Sequence, residues 1–186
     1  GPDSLALAAL AKAYNAEKKT KFYNVLVDHK IRKKSGEEAK EVKKLLKKHN
    51  LDLKILINKK KIDKNIQGQA RNVRYEMLTN YCIKKKTRFV ITGHNLEDQV
   101  ETFFIRLSRG SGLTGLSSMQ SLSVINRNIK LFRPLLDTKK TLLIEISKKI
   151  FGKYIKDPSN KDKKYLRTRI RKLKKPLIES GIKYDK

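Results

Sequence analysis

Three short apolar runs alternate along the chain with stretches of helical periodicity, and this alternation restricts the fold more than any other feature. Phe22 to Val27, ending at Asp28, Leu53 to Ile57, and Phe89-Val90-Ile91-Thr92 have the length of buried strands and are bounded by turn residues. Ser4 to Lys18 carries Leu5, Ala8, Ala9 and Ala16 at mostly helical spacing, with Asp3 or Ser4 as its cap. Glu37 to His49 sets Ala39, Val42, Leu45 and Leu46 on one face and lysines on the other. Gln67 to Lys85 repeats the pattern with Ala70, Val73, Met77, Leu78 and Tyr81, and a further helix starts near Leu96. Such alternation predicts an α/β fold: a Rossmann-like parallel sheet with helices on both faces. Ile129 to Phe132 adds a last strand and Lys139 to Ile150 a helix, while the residues after Gly152 form a basic helical extension. The expected division is 1–135 for the sheet domain and 136–186 for the extension.

Charge narrows the partners. Lys and Arg number 46 against 18 Asp and Glu, a formal net charge of +28, which attracts phosphate polymers and makes nucleic acid the first partner to consider. Between Asp157 and Lys186 there are 11 basic and 4 acidic residues. The one cysteine, Cys82, excludes an internal disulfide framework, and no Cys/His spacing suits zinc or an iron–sulfur cluster. No apolar run is long enough to span a bilayer, so the expectation is a cytoplasmic protein with no membrane partner.

In an open parallel sheet, ligands bind outside the carboxyl ends of the strands. That rule selects Asp28 and His29, then Gly93, His94 and Asn95, and the opening turn Gly1, Pro2, Asp3 and Ser4, all facing one crevice. A glycine-containing turn entering a helix presents backbone N–H groups and the positive end of the helix dipole, which suits phosphate; Asp-Ser there is equally an ordinary cap. A Gly-x-x-x-x-Gly-Lys-Ser/Thr loop is not present in the chain. Asp98 and Glu101 lie three apart, on one face of a helix, close to His94. Acidic residues there also simply complement a helix dipole.

Thr92-Gly93-His94-Asn95-Leu96-Glu97-Asp98-Gln99-Val100-Glu101-Thr102, followed by Arg109-Gly110-Ser111-Gly112-Leu113-Thr114-Gly115-Leu116, resembles the signature of the tRNA(Ile)-lysidine synthetase family of PP-loop ATP pyrophosphatases. Gly1-Pro2-Asp3-Ser4 is similar to the second half of that family's Ser-Gly-Gly-x-Asp-Ser loop, and Val27-Asp28-His29-Lys30-Ile31-Arg32 to its Val-Asp-His-Gly-Leu-Arg segment. Ala70-Arg71-Asn72-Val73-Arg74-Tyr75, Phe132-Arg133-Pro134-Leu135-Leu136, Asp157-Pro158-Ser159-Asn160 and Arg167-Thr168-Arg169-Ile170-Arg171 complete the match in the family's order. Glu97 stands where the family has Asp, Lys30 where Gly is usual and Thr168 where Asn is common. The sequence starts after the loop's leading Ser and Gly and the strand before them, so the resemblance implies a gene product that begins upstream; it also stops before the C-terminal tRNA-binding domains that the resemblance to larger members leads one to expect.

The resemblance implies a ligase that adenylates C2 of the wobble cytidine (position 34) of tRNA(Ile) with a CAU anticodon, using ATP, then joins free L-lysine through its ε-amine, releasing AMP and pyrophosphate. Asp3, Asp98, His94 and Arg71 are the expected catalytic residues, with Asp3 and Asp98 holding Mg²⁺. Gly1, Pro2, Asp3, Ser4, Asp28, His29, Gly93, Gly110, Ser111 and Gly112 are expected at the nucleotide. Glu101, Arg74 and Arg109 are assigned to substrate, and Arg167, Arg169 and Arg171 to the tRNA backbone. Two alternatives remain at this point, a non-catalytic tRNA-binding module and a PP-loop tRNA thiolase. Oligomeric state stays open, a homodimer included.

Overall fold

A computed structural model describes residues 1–63, 65–155 and 166–182. In chain order the elements are α1 (Pro2–Lys18), β1 (Asn24–Asp28), α2 (Ser35–Lys48), β2 (Leu53–Ile57), α3 (Ile66–Lys84), β3 (Phe89–Ile91), α4 (Leu96–Leu107), α5 (Leu113–Leu116), β4 (Leu122–Asn126), β5 (Ile129–Phe132), α6 (Lys140–Phe151), α7 (Leu166–Lys172) and α8 (Lys174–Glu179). The expected α/β architecture is present. Its strands, however, sort into two sheets among the described residues.

β1 and β2 pair in parallel, Asn24 opposite Leu53 through Asp28 opposite Ile57. β3 runs parallel to β5, with Ile91 opposite Phe132, and β4 adds an antiparallel edge. No ladder joins β1 to β3 among the described residues. Helix α3 touches both strands and so spans the two sheets. β4 is not legible in the sequence, because Leu122 and Val124 are exposed and Ile125 alone of its apolar residues packs against the core, which leaves no core-facing alternation.

Periodicity placed the helices to within a residue or two, but the start of α1 differs. Gly1 is its N-cap, Pro2 sits in its first turn, and no side chain caps it, so neither Asp3 nor Ser4 takes the capping role. Leu5 and Ala8 of α1 pack with Leu45 and Leu46 of α2, Leu53 of β2 and Phe151 of α6. Across the fold, Cys82, Val90, Ile129 and Leu131 join α3 to β3 and β5. A third cluster unites Ala6 with Leu135 and Leu143. A division at residue 135 therefore cuts through a shared core: α6 belongs with α1, and Ser147 Oγ donates to the Pro2 carbonyl at 2.6 Å.

Candidate active site at the strand ends

The two halves of the crevice meet at Gly93. A Cβ added there would lie 2.9 Å from the Asp3 carbonyl oxygen and 3.1 Å from its carbon, so only glycine lets the end of β3 press onto the first turn of α1. The first-turn N–H groups of α1 have no intrahelical acceptors, which leaves Asp3 and Ser4 at a dipole end suited to anions.

Helix α4 enters the same place through a capping box. Asn95 Oδ1 accepts from Asp98 N at 3.0 Å, and Asp98 Oδ2 accepts from Asn95 N at 3.1 Å. This fixes Asp98 with Oδ1 turned toward Arg167, 4.0 Å away. Asn95 is 1% exposed, and its Nδ2 finds no hydrogen-bond partner; nor does the buried Asp3 Oδ1. Burial pushes the Asp3 carboxyl above its ordinary range; the Lys140 ammonium, 3.7 Å from Oδ2, opposes that shift and the Asp98 charge reinforces it. His94 accepts or donates one hydrogen bond, 2.8 Å between Nδ1 and Thr92 Oγ1. Burial lowers its pKa to about 4 against the pull of Asp98, with Arg133, Arg71 and Arg167 adding to the fall. His94 is thus neutral at neutral pH. Asp3, His94 and Asp98 do converge.

Arg71 of α3 stacks on Tyr75 at 5.0 Å and reaches both His94 and Arg133 electrostatically. Arg133, at the end of β5, is 7% exposed and donates to Gln120 O at 2.7 Å and Ser123 Oγ at 3.0 Å. Its Nε has no partner. No local pattern gives Arg133 a role, because its approach to Arg71 and His94 depends on how α3 lies against the β5 end.

Beside them, Asp28 is 4% exposed at the end of β1. Burial works against its charge, but the Lys30 N–H at 2.9 Å, Ser35 and the Lys30 ammonium at 3.4 Å outweigh it and lower its pKa. Lys30, where the family pattern has glycine, adopts φ 56. Burial and the neighbouring Arg74 lower the pKa of His29, and Asp28 partly opposes them; neither ring nitrogen is hydrogen-bonded. Asn58, 6% exposed, ties the strand ends together by donating to Lys60 O at 2.7 Å and its N–H to Asp28 O at 2.8 Å.

Other assigned residues sit differently. Glu101, assigned to substrate from the sequence, is 2% exposed and holds Arg171 through Nε and, at 3.1 Å, Nη2, together with Arg167 Nε at 3.1 Å. Burial raises its pKa, and the two arginines offset part of that rise. Two of the three arginines assigned to tRNA backbone therefore bind the protein's own α4, and Arg169 alone is exposed. Gly110, with φ 69, lies with Ser111, Gly112 and the exposed Arg109 beyond the last turn of α4. Twelve helical residues separate that loop from Asn95, about 18 Å along the axis, so the helix carries it away from Asp98. Glu97 accepts from Lys140 N at 2.9 Å, latching α4 to the start of α6 and setting Lys140 near Asp3. The Asp157–Asn160 segment lies outside the described residues.

No group of three or more His, Cys, Asp or Glu able to cage a metal occurs among the described residues. Mg²⁺ needs no such cage when phosphates supply the remaining oxygens, and one or two carboxylates suffice. Asp3, with an unpartnered oxygen, and Asp98 fit that demand.

Parallel strands ending at one crevice, with the first turn of a helix beside them, define an α/β domain of the doubly wound class. More particularly, the chain belongs to the PP-loop domain family, whose profile matches residues 1–177. It is similar to the tRNA(Ile)-lysidine synthase of Orientia tsutsugamushi (strain Boryong), 42% identical over 183 residues that cover 97% of this chain and 41% of the relative. The corresponding protein of Wolbachia pipientis wMel is 38% identical over 94% of this chain and 41% of its own. That of Rhodopseudomonas palustris (strain ATCC BAA-98 / CGA009) is 38% identical over 97% and 53%. The chain thus spans about half or less of the length of these relatives. Among solved structures it resembles the U34-tRNA thiolase NcsA from Methanococcus maripaludis with its [4Fe-4S] cluster, with a TM-score of 0.77 over 100% of this chain and 65% of that one. At 20% identity that likeness concerns the fold alone. No helix among the described residues is long and apolar enough to cross a membrane.

Proposed function

We propose that the chain is the catalytic domain of a cytoplasmic ligase that modifies the wobble cytidine of tRNA(Ile) with lysine at the cost of ATP. One observation carries the reading: the N-termini of α1 and α4 meet at Gly93 and bring Asp3, His94 and Asp98 together, with the charges of Arg71, Arg133 and Arg167 acting on His94. Names of the relatives support the choice of reaction within the family.

Adenylation of the cytidine C2 carbonyl oxygen moves charge onto pyrophosphate as it departs. Cationic side chains and helix N–H groups already in place stabilise such charge without reorganising. Arg71, Arg133 and Lys140 are the cations at hand, with the first turn of α1 below. Mg²⁺, held by Asp3 and Asp98, would supply further neutralisation of the phosphates.

Lysine arrives protonated, its amine pKa being ~10.4, and has to lose a proton before attacking C2. Neutral His94 acts as a hydrogen-bonding group. Glu101 is committed to α7, so the lysine ammonium falls to Asp98 or Asp3. Cys82 packs with Val90, Ile129 and Leu131 and brings no thiol to the crevice, which disfavours thiolation.

The test is ATP–pyrophosphate exchange by the full-length protein with tRNA and Mg²⁺, followed by mass spectrometry of the nucleoside. Asp98→Asn should abolish exchange and leave tRNA binding nearly unchanged. Undiminished exchange would place the site elsewhere. A sulfur-bearing product would favour the thiolase, and tRNA binding without pyrophosphate release the non-catalytic module.

A further inference from the structure

With Arg167 and Arg171 bound to Glu101, Arg169 is the one of the three left exposed on α7, and a further run of exposed cations lies on α2. Helix α2 buries Ala39, Leu45 and Leu46 and presents Lys40, Lys43, Lys44, Lys47 and Lys48 to solvent on its opposite arc. Spacings of three, four and seven put these five ammonium groups in one stripe. The helix's carboxylates barely offset them. Of the helix's three carboxylates, Glu38 is held by Arg32 at 2.7 Å and Glu41 by Lys153 at 3.1 Å, which leaves Glu37 in the first turn to set one negative charge against five lysines, none of which forms an ion pair among the described residues.

The direction of the stripe matters as much as its charge. α2 begins beside the crevice: a Cβ on Gly36 would lie 2.9 Å from Lys30 Nζ and 3.6 Å from Asp28 Oδ2. From there its 14 residues run about 21 Å down the flank of the β1–β2 sheet. A single-stranded loop entering the crevice would lead its attached stem along this flank.

We infer that the lysine stripe of α2 is a phosphate track that holds the RNA stem adjoining the modified loop. The inference rests on the tRNA-ligase reading and adds the surface that orients the substrate. Contacts of this kind fix register without reading sequence. Each phosphate neutralised contributes about 0.7–0.9 to the slope of log affinity against log salt.

The experiment measures affinity of the full-length protein for a tRNA(Ile) transcript with a CAU anticodon across a salt series. Lys40→Ala, Lys44→Ala and Lys47→Ala are combined in one variant, in which alanine preserves the helix. Lys19→Ala, Lys84→Ala and Lys86→Ala, exposed at the opposite end of the strands, are combined in a control of equal charge loss. The α2 variant is expected to flatten the slope by about 2 and lose tenfold or more in affinity at moderate salt, with an unchanged melting temperature, while the control stays close to wild type. Equal effects in both variants would overturn the track and leave the ligase reading standing. Wild-type protein with no affinity for the transcript would overturn both. Preferential binding of the stripe to phosphatidylserine vesicles over tRNA would also overturn it, by assigning the surface to a membrane.

Discussion

Replacing Gly93 with alanine tests the joint on which the site depends. The new methyl would sit 2.9 Å from the Asp3 carbonyl oxygen and 3.1 Å from its carbon, closer than such contacts are tolerated, and the obstacle is backbone rather than a movable side chain. Overpacking of this kind costs about 1–3 kcal/mol. In a domain of this size each kcal/mol lowers Tm by about 2–4 °C, so Gly93→Ala should melt roughly 2–12 °C below wild type. Relief comes only by moving the end of β3 away from α1, which parts Asp3 from His94 and Asp98. Stabilisation by Mg-ATP should therefore shrink as well, each tenfold loss of affinity removing about 1.4 kcal/mol of it. Gly110→Ala is the control: φ is 69 there and no atom lies within 4 Å of the new Cβ, so only backbone strain of about 1–2 kcal/mol arises. Thermal melts of both variants with and without Mg-ATP separate the two effects. A Gly93→Ala protein with wild-type Tm and a full ATP-induced shift would refute the close approach.

Glu101→Gln should loosen α7 from α4 by about 1–3 kcal/mol, since it removes the charge that holds two arginines; tenfold faster hydrogen exchange confined to α7 would show this, and unchanged exchange would deny the clasp. Acid should destabilise the fold through His94. Between pH 6.5 and about 4 the unfolded chain takes up a proton there that the folded one does not, so stability falls as pH falls through that window. His94→Asn should flatten that dependence relative to wild type; identical pH profiles would mean the imidazole is not buried neutral. At Lys30, where φ is 56, Lys30→Gly should relieve about 1 kcal/mol of strain, visible as a small rise in Tm net of its lost ion pair with Asp28.

Much of this protein is written in local order. Periods of two and of three to four residues mark which faces are apolar, so β1, β2, β3, β5 and helices α1 to α4 and α6 are legible without coordinates. Asn95 and Asp98, three apart at the head of an apolar run, have the spacing of the capping box that orients the Asp98 carboxylate. The motif order likewise carries the family. What periodicity does not encode is which charge neutralises which. Glu101 and Arg171 stand 70 residues apart, and nothing in either segment says that one will be buried against the other. Lys140 next to Asp3, Arg133 beside Arg71 and His94, and the division of the strands into two sheets share that property. Each depends on where whole elements dock, a cooperative outcome of burying three separate core clusters. Sequence by itself determined the elements and the chemistry available at their ends; only tertiary packing decided which of those groups line the crevice and which hold the protein together.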